Sequence, residues 1–242
     1  MLAILALSNP FLSAADPPKE TPAKPFPEVV WKVDERVPKA QRVFTSPVDP
    51  DVAFVSSAQG LWRTRSDASN WQLVPDTGPR VLGTVSHLAV CPARCESVVL
   101  GSLEKGVFVS DDGGGTWRRA GGVEAGLSGE RVRYVGFARE DGSWNTLLAC
   151  HDTDAPGISK SLDGGRHWRV MAPSRYFRTF VDLGQLWIAA SALIDEPDNW
   201  EMVRSMSYGE VWHTRKRDVM PTVGASTSVD PLRVVWGNQG AR

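Results

Sequence analysis

The sequence predicts an all-β fold made of a small sheet repeated along the chain, and three observations carry that expectation. The 242 residues include 10 Trp, 22 Gly and 17 Pro, a composition suited to many short strands joined by tight turns. Runs of Val, Leu and aromatic residues bounded by Gly, Pro and Asp recur, and no segment sustains the 3.6-residue period of an amphipathic helix. Above all, one octet recurs. Residues 110–117 (SDDGGGTW) and 161–168 (SLDGGRHW) share the pattern Ser-x-Asp-x-Gly-x-x-Trp. Residues 205–212 (SMSYGEVW) put Ser in place of Asp, and 64–71 (TRSDASNW) keep the hydroxyl, a shifted Asp and the Trp. The starts at 64, 110, 161 and 205 are spaced by 46, 51 and 44 residues, within the range of supersecondary repeats.

The chain divides into three stretches. Residues 1–15 read as a signal peptide: 2–7 (LAILAL) are apolar and small residues at 13–15 precede Asp16. No Lys or Arg precedes the apolar run, so a plain apolar tail is the competing reading. Residues 16–28 form a Pro-rich tether, with five prolines between Asp16 and Pro27. Residues 29–242 carry the repeats. A signal followed by a spacer leads to the expectation of an exported protein, periplasmic or extracellular.

Within each repeat the order is the same. First strands are expected near 43–45, 87–90, 134–137, 177–180 and 226–229, and second strands near 52–55, 98–101, 146–149, 186–189 and 234–237. Third strands lie near 60–63, 106–109 and 157–160, each running into an octet. The octet itself is a turn. Asp112 and Asp163 can accept N–H bonds from their own turn. Gly114 and Gly165 can adopt positive φ, and Trp117 and Trp168 bury a large apolar surface as the fourth strand begins.

These octets resemble the Asp-box, or BNR repeat, of sialidases, sortilin-type receptors, xyloglucanase-type glycosidases and photosystem II assembly factors. The resemblance covers residues 29–242. It implies a β-propeller of four-stranded blades with about five blades visible. It also implies a structural role for Ser110, Asp112, Gly114 and Trp117, for Ser161, Asp163, Gly165 and Trp168, and for Ser205, Gly209 and Trp212. Residues 29–33 (VVWKV) look like an orphan fourth strand, and the last repeat offers only two strands. Either the two ends share one blade that lacks a strand, or the chain is a piece of a six- or seven-bladed ring.

By analogy with the fold, ligands use the face opposite the octet turns. Two acidic loops are expected there, one with His151, Asp152 and Asp154, the other with Asp195, Glu196, Asp198 and Trp200. Solvated loop tips are the plain reading. A protein or glycan ligand is the first functional reading, in a non-enzymatic binding or assembly scaffold. A sialidase- or xyloglucanase-like glycoside hydrolase with paired carboxylates is the second. The sialidase variant is weakened by a supply of only three Tyr. Arginines at 131, 133, 175, 178 and 215, with Lys216 and Arg217, offer either an anion-binding patch or ordinary strand-edge charge.

Twenty-seven basic against 28 acidic residues give a net charge of −1, which removes the electrostatic case for nucleic-acid binding. No apolar run approaches the ~20 residues of a spanning helix, and a monomer with no cofactor and no metal is expected. Cys91 and Cys95 (CPARC) are expected to form a disulfide across a five-residue turn, with a zinc half-site as the weaker alternative. Cys150 reads as a small buried hydrophobe.

Overall fold

The computed structural model describes residues 36–66, 70–140, 143–151, 154–183, 186–215, 223–226 and 234–237, all within one compact unit, Glu35–Arg242. The expected signal, tether and orphan strand at 29–33 lie outside the described residues, as do Asp152, Lys216 and Arg217.

Four antiparallel four-stranded sheets follow one another in strict chain order. The first is β1 (Ala40–Thr45), β2 (Val52–Ser57), β3 (Gly60–Arg65) and β4 (Gln72–Leu73). The second is β5 (Val85–Val90), β6 (Val98–Ser102), β7 (Gly106–Ser110) and β8 (Arg118–Gly121). The third is β9 (Val132–Ala138), β10 (Thr146–His151), β11 (Ile158–Ser161) and β12 (Arg169–Met171). The fourth is β13 (Arg175–Asp182), β14 (Trp187–Leu193), β15 (Glu201–Ser205) and β16 (His213–Arg215). A further pair, β17 (Val223–Ser226) and β18 (Val234–Gly237), is antiparallel. Here the expected first strand at 226–229 is displaced: pairing runs from Val223↔Gly237 to Ser226↔Val234. The single α-helix among the described residues, Pro79–Leu82, is one turn in the link between the first two sheets.

The sheets pack face to face in sequence, and this sets where the core lies. Three apolar clusters fill the three spaces between consecutive four-stranded sheets. The first joins Phe54 and Leu61 to Leu88, Leu100 and Phe108. The second joins Val99, Val107 and Val109 to Val132, Val135 and Leu147. The third joins Leu148 and Ile158 to Phe180, Trp187 and Val203. Central strands therefore read as unbroken apolar runs, because both faces are covered: β6 is buried at every position.

The octet tryptophans belong to these clusters. Trp117 packs on the first, Trp168 lies in the second and Trp212 packs on the third. Trp168 reaches back to the preceding sheet, where it donates its indole N–H to Ala120 O at 3.0 Å.

The octet turns are closed as their residue types require. In the second sheet Asp112 Oδ1 accepts the N–H groups of Gly115 and Thr116 at 2.8 and 2.9 Å, and Ser110 Oγ accepts that of Gly114 at 2.8 Å. Asp163 and Ser161 repeat the arrangement with Arg166, His167 and Gly165 at 2.9, 3.0 and 2.8 Å. In the fourth sheet Ser207 stands at the Asp position and keeps one of the two bonds, from Val211 N at 2.8 Å. In all three the Trp indole donates to the Gly carbonyl three residues back, at 3.2, 3.2 and 2.9 Å.

Cationic residues latch successive sheets to these turns. Each turn places its fourth residue, Gly113, Gly164 or Tyr208, at positive φ. The carbonyl of that residue accepts a bond from the sheet before: Arg63 Nη1 to Gly113 O at 3.0 Å, Arg118 Nη2 to Gly164 O at 3.1 Å, and Lys160 Nζ to Tyr208 O at 3.1 Å. Arg63 and Lys160 immediately precede an octet, whereas Arg118 immediately follows one. These positions are cross-strand neighbours, as the pairing Lys160↔Arg169 shows, so either can reach the next turn.

The expected Cys91–Cys95 disulfide is not formed, and both thiols are free. The turn is closed by backbone bonds instead, Cys91 N to Ser97 O at 2.9 Å and Arg94 N to Cys91 O at 3.3 Å. Cys91 is buried, while Cys95 Sγ sits 3.7 Å from Ser46 Oγ, just after β1.

Candidate functional site

The antiparallel order puts the β2–β3, β6–β7, β10–β11 and β14–β15 loops on one face, together with the links between sheets. The octet turns occupy the other face. On the loop face a register position repeats. The hydroxyl residues that open the octets, Thr64, Ser110, Ser161 and Ser205, pair with Ala53, Val98, Leu147 and Trp187 of the second strands. Three residues further along those strands, the partners on the first strands are Arg42, His87, Tyr134 and Thr179.

Just before each of these four residues the first strand bulges by one residue: Gln41, Ser86, Arg133 and Arg178 have no partner in the ladder. A bulge sharpens the local twist and re-aims the side chains around it. Here it occurs at one equivalent place in all four sheets, where the first strands enter from the loop face.

The chemistry at this level is cationic and aromatic. Arg42 and Arg133 are exposed. The Arg178 guanidinium lies 3.9 Å from the ring centroid of Trp200, a cation–π contact. His87 stacks on Tyr134 at 4.0 Å, and Tyr134 meets Phe180 edge-on at 5.2 Å. Burial lowers the pKa of His87 to about 4, with nearby Arg42 acting in the same direction, so the imidazole is neutral at pH 7. Burial raises Tyr134 to about 12 and holds the Cys150 thiol well above its ordinary range; neither is a nucleophile near neutrality.

The two acidic loops are smaller than expected. β10 runs on to His151, whose side chain is 2% exposed rather than solvated. Its Nε2 meets Ser159 Oγ at 2.7 Å, and burial lowers its pKa to about 4. This pair has the reach of a base and a nucleophile, but Ser159 is 0% exposed and no substrate can touch it. Asp154 remains exposed, 3.9 Å from Arg131 Nε. In the other loop β14 runs on to Leu193, and Trp200 is buried. Asp195, Glu196 and Asp198 are exposed at the tip, where Glu196 accepts a bond from Asn199. Among the described residues no group of three or more His, Cys, Asp or Glu is placed to hold a metal ion.

Other loop-face carboxylates are held by cations or N–H groups. Arg119 binds Glu124 and Glu130 at 2.8 and 2.9 Å. Arg175 binds Glu201 at 2.9 Å in a half-buried pair. Glu104 accepts the Thr84 N–H at 2.6 Å. Sequence reasoning located Arg133, Arg178 and Trp200 but missed the repeated position of Arg42, His87, Tyr134 and Thr179. The only signal was their spacing, which the bulges obscure.

Four consecutive antiparallel four-stranded sheets, packed face to face and linked turn to sheet, define a β-propeller. Comparison with solved structures agrees. The chain is similar to the GH74 xyloglucanase from Xanthomonas campestris, at 17% identity over 83% of this chain and 35% of that one, with a TM-score of 0.63. It is similar to the GH74 enzyme of Niastella koreensis, at 17% identity over 78% of this chain and 31% of that one, with a TM-score of 0.57. It is also similar to the Cps50 (Swd1) β-propeller domain of Myceliophteria thermophila, at 9% identity over 84% of this chain and 65% of that domain, with a TM-score of 0.56. The chain thus spans about a third of the length of these GH74 enzymes. No family model matches the sequence, and no curated protein matches it. Among the described residues no helix is long and apolar enough to cross a membrane.

Proposed function

We propose that the protein is an exported, non-enzymatic Asp-box propeller whose loop face binds a protein partner around the four bulged first strands. The observation that supports this reading is the set of Arg42, Arg133 and Arg178 at one level of that face, with the Arg178 guanidinium held against the buried Trp200 ring. Arginine is among the side chains that most often anchor protein interfaces, and a rigid strand framework presents it without a large ordering cost.

The hydrolase reading rests on likeness of fold, which two GH74 neighbours and one Swd1 neighbour share alike. A hydrolase would need an acid and a base facing one cleft. The carboxylates held by Arg119 and Arg175 already serve as partners in ion pairs.

The test is a pair of measurements on the full chain. In quantitative affinity capture from the envelope fraction, the partner bound by the wild type is expected to be lost from Arg133→Glu, and its retention to fall with salt. Release of reducing ends from xyloglucan, abolished by Asp154→Asn or Asp195→Asn, would overturn the proposal in favour of a glycosidase.

A further inference from the structure

A cleft of about 220 Å³ opens on the octet-turn face, between the second and third sheets. The loop-face reading does not account for it, and octet residues Ser110, Asp111, Asp163, Gly164 and Arg166 form part of its wall. Three arginines line it: Arg94 from the β5–β6 turn, Arg118 after the second octet and Arg166 within the third. Three arginines elsewhere are matched to carboxylates at hydrogen-bond distance, Arg119 to Glu124 and Glu130, Arg169 to Glu210, and Arg175 to Glu201. Those in the cleft are not. Among the described residues, no carboxylate accepts a hydrogen bond from any of the three guanidinium groups; the nearest approach is Asp111 Oδ2, 4.0 Å from Arg118 Nε.

The three guanidiniums are nonetheless held in place. Arg118 Nη2 and Arg166 Nη1 bind successive carbonyls of a single turn, Gly164 O at 3.1 Å and Asp163 O at 3.0 Å. Arg94 is fixed by Ser97 Oγ at 2.7 Å and Asn145 Oδ1 at 3.4 Å. The remaining N–H groups of each arginine are left for a ligand. Asp163 stays anionic, its oxygens turned to Ser161, His167 and the N–H groups of its own turn, so three guanidiniums stand against the two carboxylates of Asp111 and Asp163 and the lining keeps one net positive charge.

We infer that this cleft binds one ring of an acidic saccharide, with its oxyanion on the arginines and its hydroxyls on the acceptors beside them. Fixed guanidiniums match the planar or tetrahedral oxygens of a carboxylate or sulfate. Half-buried Trp144 lines the same cleft and adds an aromatic surface beside the arginines. Asp111, 79% exposed at the side chain, is an acceptor suited to sugar hydroxyls, whereas it would repel the successive carboxylates of an acidic peptide. The donors and acceptors together match a polyhydroxylated anion better than a purely anionic chain.

Calorimetric titration of the full chain tests this with three tetrasaccharides of one backbone: one bearing glucuronate, one bearing a 6-O-sulfate and one neutral. Binding of either acidic form at least about tenfold tighter than the neutral form, weakening with salt, supports the site and identifies its anion. Arg94→Gln, in an exposed turn, is expected to weaken that binding about tenfold without altering the fold, and Arg118→Gln to do so at some loss of stability. Equal affinity for acidic and neutral forms would overturn the inference. So would no binding at all, binding unchanged in a folded Arg94→Gln, or tighter binding of polyglutamate than of either acidic sugar. Loop-face Arg133→Glu leaves the saccharide titration unchanged, so failure here is separable from failure of the proposed function.

Discussion

The ammonium of Lys160 donates to the carbonyl of Tyr208 at 3.1 Å across the boundary between the third and fourth sheets. Lys160 is 1% exposed and also lies 2.6 Å from Glu140 Oε2 and over the Trp187 ring at 5.5 Å. A charge so buried is tolerated only when paired and hydrogen-bonded.

Lys160→Ala is therefore expected to destabilise the protein by about 3 kcal/mol or more, since it leaves Glu140 and the Tyr208 carbonyl without a partner. Lys160→Met restores the volume but not the donor. Urea midpoints separate the two contributions, and a loss below about 1 kcal/mol in Lys160→Met would show that the polar latch is dispensable.

Glycines at consecutive positions of the octet pattern, taken from two different octets, are expected to respond differently to a methyl group. Both need positive φ, +68° at Gly164 and +82° at Gly114. A Cβ at Gly164 meets nothing within 4 Å, while one at Gly114 would stand 2.4 Å from the Phe54 ring. Gly164→Ala is expected to cost about 1–2 kcal/mol from backbone strain alone. Gly114→Ala displaces a fully buried ring as well, and about 3 kcal/mol or more is expected. Thermal unfolding of the two variants side by side is the measurement; equal losses would refute the packing argument.

The fourth sheet offers a stabilising change. Ser207 accepts one N–H where Asp112 and Asp163 accept two. Ser207→Asp adds a charged acceptor to the turn, and a gain of about 0.5–1.5 kcal/mol is expected in urea unfolding. No gain would mean that the turn is not limited by its acceptor.

Stability is expected to fall with acid in two stages. His87 and His151 have folded values near 4, below the ordinary value of about 6.5. Between these limits the unfolded chain binds more protons, so this contribution is complete above pH about 6.5 and is lost as pH falls toward 4. Asp112 is depressed chiefly by the Thr116 N–H. At Asp163 partial burial acts the other way, but His167, Ser161 and Arg166 outweigh it. Their contribution is complete above pH about 4 and is lost as pH falls below it. Melting temperature against pH checks both stages. His87→Phe flattens the first and Asp163→Asn the second.

The sequence made the octets legible because their function is local. An Asp, two glycines and a Trp close one turn, and the pattern survives with Ser207 in place of Asp. Second strands were legible because burial on both faces makes them apolar throughout. The latches were hidden, since Lys160 in a strand of Ile158, Ser159 and Ser161 reads as an ordinary edge charge until the next sheet is in place. The bulges were hidden too. Gln41, Ser86, Arg133 and Arg178 share no side-chain type, because a bulge is a property of register with a partner strand. His151 was read as a loop residue because Asp152 and Asp154 dominate the local composition, and strand β10 continues past that signal. The cysteine pair suggested a bond that the backbone of its turn makes unnecessary.

The latches run one way, from the outer hairpin of one sheet to the turn of its successor. The second and third sheets thus each carry a plug on one flank and a matching socket on the other. Copies made by tandem duplication fit each other at once, with no new complementary surface to evolve, so ring size can drift while the joint stays the same.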